Sequence, residues 1–256
     1  DGTSDAIRFE QDAWEWAQGG ITAALGNFPG INSSFYAWMM SLLYAVTDRS
    51  LLMLQAVNVL VGVLGVFVVW KLASEFWGKK VGRKAAWVMA FFPTVVQYGA
   101  LPMREAWVVL FFVLGMIGVG RWARGGGVRP ATGALTAFAA ATFFHGGMFV
   151  AVLAFLGLIA TRDAGLLLRG LSRGRIRVLA SLGIIVAIGL FGGYVFTGIS
   201  VPKLGTIEEV ADFQRLTGYM EYQANLEHAG ARYPGWLVPS QGADLLWIVP
   251  VKSIYF

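Results

Sequence analysis

The sequence predicts an all-α protein, a polytopic transmembrane helical bundle with two interfacial helices in its first external loop. Apolar residues make up 57% of the 256 residues and charged residues only 14%, unlike the composition of a soluble domain. Several apolar runs approach the length that a helix needs to cross about 30 Å of hydrocarbon. The charges are also sorted along the chain, since basic and acidic segments lie between those runs.

The sorted charges predict a topology. Residues 71–84, 121–129 and 162–177 are strongly basic, whereas residues 1–32 and 200–244 are acidic. Under the positive-inside rule the basic loops are cytoplasmic, and the two acidic segments lie on the other side of the membrane. This topology accounts for the net charge of +5 without a polyanion, so we expect membrane lipids and no nucleic acid as partners.

The first 50 residues predict an external segment with two helices at the membrane surface, at about 12–25 and 33–47. Pro29 and Gly30 separate the two helices. If residues 33–47 crossed the membrane, every later loop would be inverted, so we interpret this run as interfacial. Aromatic side chains suited to the interfacial belt occur in both helices, namely Trp14, Trp16, Phe35, Tyr36, Trp38 and Tyr44.

Four nearly charge-free apolar runs each predict one crossing helix, at 51–70, 85–101, 106–122 and 178–199. The basic loops fix their directions, so that the first runs inward, the second outward and the third inward. A tight turn at residues 102–105 is therefore expected at the outer side, between the second and third helices.

Residues 131–161 predict a hairpin of two short helices, about 131–144 and 147–160. The break falls at His145-Gly146-Gly147, where two glycines interrupt the apolar run. A single span would place the following basic loop outside, whereas a hairpin keeps both flanking basic loops in the cytoplasm. Each limb of 14 residues reaches about 21 Å, so we expect the tip to stop below the outer surface and to leave a recess there.

These segments predict one membrane domain over residues 1–256. Residues 1–50 form the first external loop, residues 51–199 the transmembrane helices, residues 200–244 a second external loop, and residues 245–256 the start of a further helix. Since the chain begins with Asp and ends inside an apolar run, we expect a helix before residue 1 and more after residue 256.

A short pattern near the start of the first external loop, Asp5-x-x-Arg8-Phe9-x-x-x-Ala13, resembles a family signature. It is similar to the Asp-Glu-x-Arg-Tyr-x-x-x-Ala pattern of the GT-C superfamily of membrane glycosyltransferases, although Ala6 stands where that pattern has a second acid. The protein O-mannosyltransferases and the aminoarabinose transferases of lipid A belong to this superfamily. The order of loops and helices resembles its core too.

This resemblance implies an enzyme of the extracytoplasmic face of a bacterial inner membrane. A sugar would pass from a polyprenyl-phosphate-linked donor to a glycan, lipid or protein acceptor. One alternative is an envelope polysaccharide polymerase of the O-antigen or capsule type, which uses undecaprenyl-linked repeat units. A second alternative is a membrane transporter or flippase.

Transfer of a sugar from a lipid phosphate needs a cation for the phosphate and a carboxylate for the proton of the acceptor hydroxyl. Asp5 is the candidate base and Glu105 a second candidate acid. Arg104 is the candidate phosphate ligand, because a guanidinium group matches phosphate oxygens bidentately. The structural alternatives are that Asp5 caps a helix from about residue 6 and that Arg104 and Glu105 form a surface turn that orients the helices.

Further candidate substrate-binding residues lie at several places along the chain. His145 at the hairpin tip could donate to a phosphate or sugar, or could satisfy a broken helix end. Lys252 could approach the lipid phosphate, or could snorkel to the interface. No sequence motif indicates a metal or another cofactor, and we expect none. The remaining candidates are Arg8, Glu10, Gln97 and Tyr98.

Overall fold

A computed structural model describes residues 2–30, 34–125 and 127–171. Within these ranges the protein is all-α, as predicted, and contains no strand. The predicted helix 178–199, the loop 200–244 and the final helix from 245 lie outside the described residues. The α-helices in the described ranges are α1 Gly2–Ala17, α2 Gly20–Gly26, α3 Phe35–Thr47, α4 Leu51–Trp77, α5 Lys79–Phe91, α6 Pro93–Ala100, α7 Glu105–Gly125, α8 Val128–Phe144 and α9 Phe149–Leu171.

The described part of residues 1–50 contains three helices rather than the expected two. The helix predicted over 12–25 is wrong: α1 begins at Gly2 and ends at Ala17, and α2 follows it. The chain breaks between them because Gly20 has a positive φ of 76°, which a residue with a side chain rarely adopts. The interpretation of Asp5 as a cap is also wrong, since Asp5 lies within the first turn of α1. The helix predicted over 33–47 is confirmed as α3.

Helices α1 and α3 pack face to face because each carries a buried stripe with helical spacing. Phe9, Ala13 and Ala17 are buried on α1. The cluster that they form joins these helices to α4 and α8. Its buried members are Phe9, Ala13, Ala17, Tyr36, Ala37, Met40, Tyr44, Leu54 and Phe144.

Helices α4 and α7 are long and apolar enough to cross a membrane. Helix α4 starts at the predicted residue, where the Ser50 side chain caps it by accepting from the Met53 N–H. It extends to Trp77, beyond the predicted end at residue 70, and its 27 residues span about 40 Å. Gly78, with a φ of 92°, ends the helix.

The single helix predicted over 85–101 is wrong, because two shorter helices occupy this stretch. Helix α5 begins earlier, at Lys79, and the chain leaves the helical conformation at Phe92, which has an extended backbone. Pro93 is the cause, since a proline disfavours the α conformation of the residue before it. Pro93 then opens α6, where its missing N–H costs no hydrogen bond.

The predicted hairpin is confirmed, although its limbs are longer than expected. Helices α8 and α9 meet at an extended His145 followed by a short 3-10 helix, and they contain 17 and 23 residues. The recess expected at the tip stays a prediction. Next to the break, Phe144 is buried. Its ring packs against the rings of Phe35, Trp107 and Phe111, at centroid distances of 5.2, 5.4 and 5.8 Å.

Helices α7 and α8 approach closely at Gly118. A Cβ atom at Gly118 would lie 2.8 Å from the backbone nitrogen of Ala134 and from the carbonyl oxygen of Pro130. We therefore expect Gly118→Ala to lower the free energy of unfolding by about 1–3 kcal/mol, since backbone atoms cannot move aside. Thermal unfolding in detergent measures the change.

The matched control is Gly133→Ala on α8, where an added Cβ meets no atom within 4 Å. We expect this variant to be as stable as the parent or more stable, because alanine favours a helix over glycine. Equal stability of the two variants would contradict the close packing of α7 on α8.

Candidate functional site

A buried amide on α4 holds the turn between α6 and α7. The Asn58 side chain is fully buried. Its Nδ2 donates to the carbonyl oxygens of Leu101 and of Met103, the latter at 2.6 Å. Its Oδ1 accepts from Trp107 Nε1 at 3.0 Å and from the Tyr36 hydroxyl at 3.3 Å. The amide thereby uses both donors and both acceptor sites, and it fixes residues 101–103 against α3, α4 and α7.

Arg104 follows this turn and is buried, with a residue exposure of 7%. Its guanidinium carbon lies 5.4 Å from the centroid of the Phe9 ring. Its Nε is 3.5 Å from Glu105 Oε1, an ion-pair distance without a hydrogen bond. Arg104 Nε and Nη1 and Glu105 Oε2 are buried without a hydrogen-bond partner among the described residues. The interpretation of Arg104 as part of a surface turn is therefore wrong.

The surroundings of Arg104 favour an anion. A buried guanidinium with unused donors is costly unless a partner accepts from them. Arg104 also lies directly before α7, a helix of 21 residues whose N-terminal N–H groups favour negative charge. Glu105 offers one carboxylate at the edge of ion-pair distance. Nε and Nη1 lie on different edges of the guanidinium group, so a phosphate would accept a charge-assisted hydrogen bond from one of these two donors.

Asp5 and Arg8 form a second ion pair beside the same aromatic ring. Arg8 Nη2 is 3.3 Å from Asp5 Oδ1, and the guanidinium carbon of Arg8 is 5.1 Å from the centroid of Phe9. Both side chains are about half exposed, at 56% for Arg8 and 44% for Asp5. The structure thus places two arginines, each with a carboxylate, around Phe9.

Glu10 is buried, and both oxygens of its carboxylate accept hydrogen bonds. Arg49 donates to both oxygens, from Nε at 2.9 Å and from Nη2 at 2.8 Å, and the Tyr44 hydroxyl donates to Oε1 at 3.1 Å. The hydrogen bond from Arg49 lowers the pKa of Glu10, against the opposing effect of burial. Glu10 therefore ties α1 to α3 and to the segment before α4. Its expected contact with substrate stays a prediction.

The other candidate residues lie elsewhere in the chain than the two ion pairs around Phe9. Gln97 is exposed and Tyr98 half-buried on α6. His145 lies at the break of the hairpin. Its backbone N–H donates to the Ala141 carbonyl at 3.0 Å, and its backbone carbonyl accepts from the Met148 N–H at 2.8 Å. Substrate contacts by these three residues stay predictions. Lys252 lies outside the described residues.

The sequence did not reveal that Asn58 holds the turn between α6 and α7. A lone Asn within the apolar run of α4 was the available signal, and it indicates close helix packing. The residues that the amide joins lie 22 to 49 positions away in the chain, so no local pattern reveals them. Arg49 was missed for the same reason, because its partner Glu10 is 39 positions away.

Comparisons with protein-family models, with curated proteins and with solved structures found no match to this chain. The described residues define its class only as a helical protein with two helices long and apolar enough to cross a membrane. In the part of the chain that the structure describes, no group of three or more His, Cys, Asp or Glu residues could hold a metal ion. Function is therefore inferred from the chemistry around Arg104.

Replacing the buried amide tests its role in holding the turn. Asn58→Leu keeps a similar volume but leaves two carbonyls, a hydroxyl and an indole N–H without their partner. We expect the free energy of unfolding to fall by about 2–4 kcal/mol, which chemical unfolding in detergent measures. Gln55→Leu, at a half-buried position one turn earlier, is the control and should cost much less. A similar loss in both variants would contradict the role of Asn58.

The pKa of Glu10 predicts a pH dependence of stability. Because the folded pKa is below the ordinary value of 4.5, the Glu10–Arg49 pair stabilises the fold above that pH, and this stability is lost as pH falls through the folded pKa. We expect Glu10→Gln to unfold at a lower temperature than the parent at neutral pH. The two unfolding curves should converge in acid.

Glu15→Gln is the matched control, since Glu15 is exposed on the same helix. It should follow the parent at every pH. A constant difference between Glu10→Gln and the parent, from neutral pH into acid, would show that the charge of Glu10 is not what stabilises α1.

Proposed function

We propose that this chain forms the core of an integral-membrane glycosyltransferase. It transfers a sugar from a polyprenyl-phosphate-linked donor to an acceptor at the extracytoplasmic face of a bacterial inner membrane. The observation that carries the proposal is the buried guanidinium of Arg104, which keeps unused donors at the start of a long apolar helix. The resemblance of the Asp5 to Ala13 pattern to the GT-C superfamily agrees with this chemistry.

The distribution of charge along α4 and α7 supports a membrane position for both helices. At the ends remote from Arg104, Arg121 forms two hydrogen bonds of 2.7 Å with Glu75, and Arg124 donates to the carbonyls of Glu75 and Phe76. The basic residues at these ends suit the cytoplasmic side, and this supports an outer position for Arg104. Large apolar side chains are exposed along α4, as lipid contact requires, among them Leu52, Val59, Leu60, Val63 and Phe67.

In this proposal Arg104 binds the phosphate of the donor. The bond between the anomeric carbon and the phosphate oxygen breaks, and its electron pair stays with the phosphate. The acceptor oxygen forms the new bond to the anomeric carbon, and its proton passes to a carboxylate. A buried cation stabilises the charge that develops on the leaving phosphate more strongly than an exposed cation does.

The two candidate acids receive different roles. Glu105 lies at ion-pair distance from Arg104 and orients the guanidinium. Asp5 is more exposed than Glu105, at 44% against 33%, so an incoming hydroxyl reaches it more easily. Asp5 is therefore the proposed base, and Arg8 forms an ion pair with its carboxylate. A hydroxyl of the acceptor approaches between the phosphate and Asp5.

Arg104→Lys tests the guanidinium contact, because lysine keeps the charge and loses the planar group with its five donors. Cells carry each variant of the full-length protein at equal abundance, and their envelope glycans and polyprenyl-linked sugars are extracted. We expect transfer to fall by about 100-fold, with loss of one glycan linkage and accumulation of a lipid-linked donor. Arg121→Lys, at the other end of α7, is the matched control and should leave transfer unchanged.

Asp5→Asn separates the roles of the two residues. It should abolish transfer while the protein still retains the lipid-linked donor, whereas Arg104→Lys should weaken retention of the donor as well. Unchanged glycans in both variants would overturn the proposed function and favour a transporter or a structural subunit.

A further inference from the structure

A cleft of about 400 Å³ opens at the C-terminal ends of α1 and α3, apart from Arg104. Two aromatic rings, of Trp14 and Tyr44, form one side and pack edge to face at 6.1 Å. Gln18, Thr47 and Asp48 contribute polar side chains, and the rest of the lining is Ala17, Gly20, Ala45 and Val46. The volume lies within the range of small-molecule sites.

Asp48 has a backbone conformation that an aspartate rarely adopts. With φ 69° and ψ 172°, it is the one residue other than glycine with a positive φ in the described ranges. Glycine occupies this region readily, whereas a residue with a Cβ is strained there. Stability alone would favour glycine at this position. The presence of a carboxylate at a strained position indicates a use for that side chain.

The polar groups at the rim of this cleft are available to a ligand. Asp48 and Gln18 are exposed, and neither side chain makes a hydrogen bond or an ion pair with another described residue. Together they offer a carboxylate that accepts and an amide that both donates and accepts. These groups stand beside the Trp14 ring, which is only partly buried. The guanidinium carbon of Arg49, which is paired with Glu10, lies 5.7 Å from the centroid of this ring.

An aromatic face beside planar polar groups matches a carbohydrate. The C–H groups on one face of a pyranose ring are apolar and stack on an indole, while its hydroxyls both donate and accept at the edge. An apolar ligand would leave Asp48 and Gln18 unpaired, and an anion would be repelled by Asp48. A neutral sugar satisfies both parts of the lining.

We propose that this cleft binds a sugar unit of a glycan acceptor. The proposal rests on the proposed function and names its acceptor class, an oligosaccharide of more than one sugar. Trp14 follows Phe9 by five residues, or about 7.5 Å along the axis of α1, and Phe9 is the ring that lies against Arg104. The two side chains also differ by about 140° around the helix. An acceptor held at Trp14 would therefore need more than one sugar to reach the phosphate site.

Binding of oligosaccharides to the full chain in detergent tests this site. The probe is a set of two- to four-sugar oligosaccharides, released by mild acid from the envelope glycan of the cells that make the protein. Saturation-transfer NMR detects binding, and a titration gives the dissociation constant. We expect Trp14→Leu to weaken binding about tenfold, whereas Trp16→Leu, on the same helix and outside the cleft, binds as the parent does.

Asp48→Gly keeps the test decisive even if Trp14→Leu unfolds. Glycine relieves the strained backbone, so this variant should unfold at the same temperature as the parent or a higher one. We nevertheless expect it to bind the oligosaccharides about tenfold more weakly and to raise the KM for the acceptor, with little change in kcat. A more stable Asp48→Gly protein with unchanged oligosaccharide binding would overturn the proposal.

The same measurements distinguish this proposal from the proposed function. Arg104→Lys should lose transfer and keep oligosaccharide binding at the cleft. If Arg104→Lys loses transfer while Trp14→Leu and Asp48→Gly bind normally, the glycosyltransferase stands and the glycan site is wrong. If Arg104→Lys transfers normally while the cleft variants lose binding, the cleft binds glycan and the proposed function is wrong.

Discussion

The hydrogen bonds of one buried amide determine where the charged site lies. Asn58 holds the carbonyls of Leu101 and Met103 and accepts from Tyr36 and Trp107, so α3, α4 and α7 meet at a single side chain. In a low-dielectric surrounding, an amide whose hydrogen bonds are all made is strongly orienting, and one that loses its partners is costly. Arg104 directly follows Met103 in the chain. The turn that Asn58 fixes therefore also sets the position of Arg104 against the Phe9 ring of α1.

Ion pairs of two kinds occur among the described residues, and they differ in whether their hydrogen bonds are complete. The Glu10–Arg49 and Glu75–Arg121 pairs are closed, since the guanidinium forks meet both oxygens of each carboxylate. These pairs connect helices. Arg104 and Glu105 are different, because three of their polar atoms are buried without a partner among the described residues. An incomplete buried pair is unfavourable for stability alone. An anionic substrate would accept from the unused donors of Arg104, whereas Glu105 Oε2 would need a donor such as a hydroxyl.

Much of the fold follows from patterns that lie within one stretch of sequence. Apolar length predicted α4 and α7, and the glycines after His145 predicted the break of the hairpin. The break at Phe92 was missed although Pro93 is visible, because the apolar run continues through it. The candidate site was predictable only in part: Arg104 stands out as a cation between two apolar runs. Its burial against Phe9, and the amide that holds the turn, depend on residues far apart in the chain, which no periodicity reveals.

The most direct test of this account is a distance measurement between the Arg104 guanidinium and the phosphorus of undecaprenyl phosphate. Solid-state NMR of the full chain in lipid bilayers, with ¹⁵N-labelled arginine, reports this distance through dipolar coupling between ¹⁵N and ³¹P. We expect a coupling typical of direct contact between a guanidinium nitrogen and the phosphate, which disappears in Arg104→Lys and persists in Arg121→Lys. A coupling that persists in Arg104→Lys, or no coupling in the parent, would contradict the claim that this buried arginine binds the lipid phosphate.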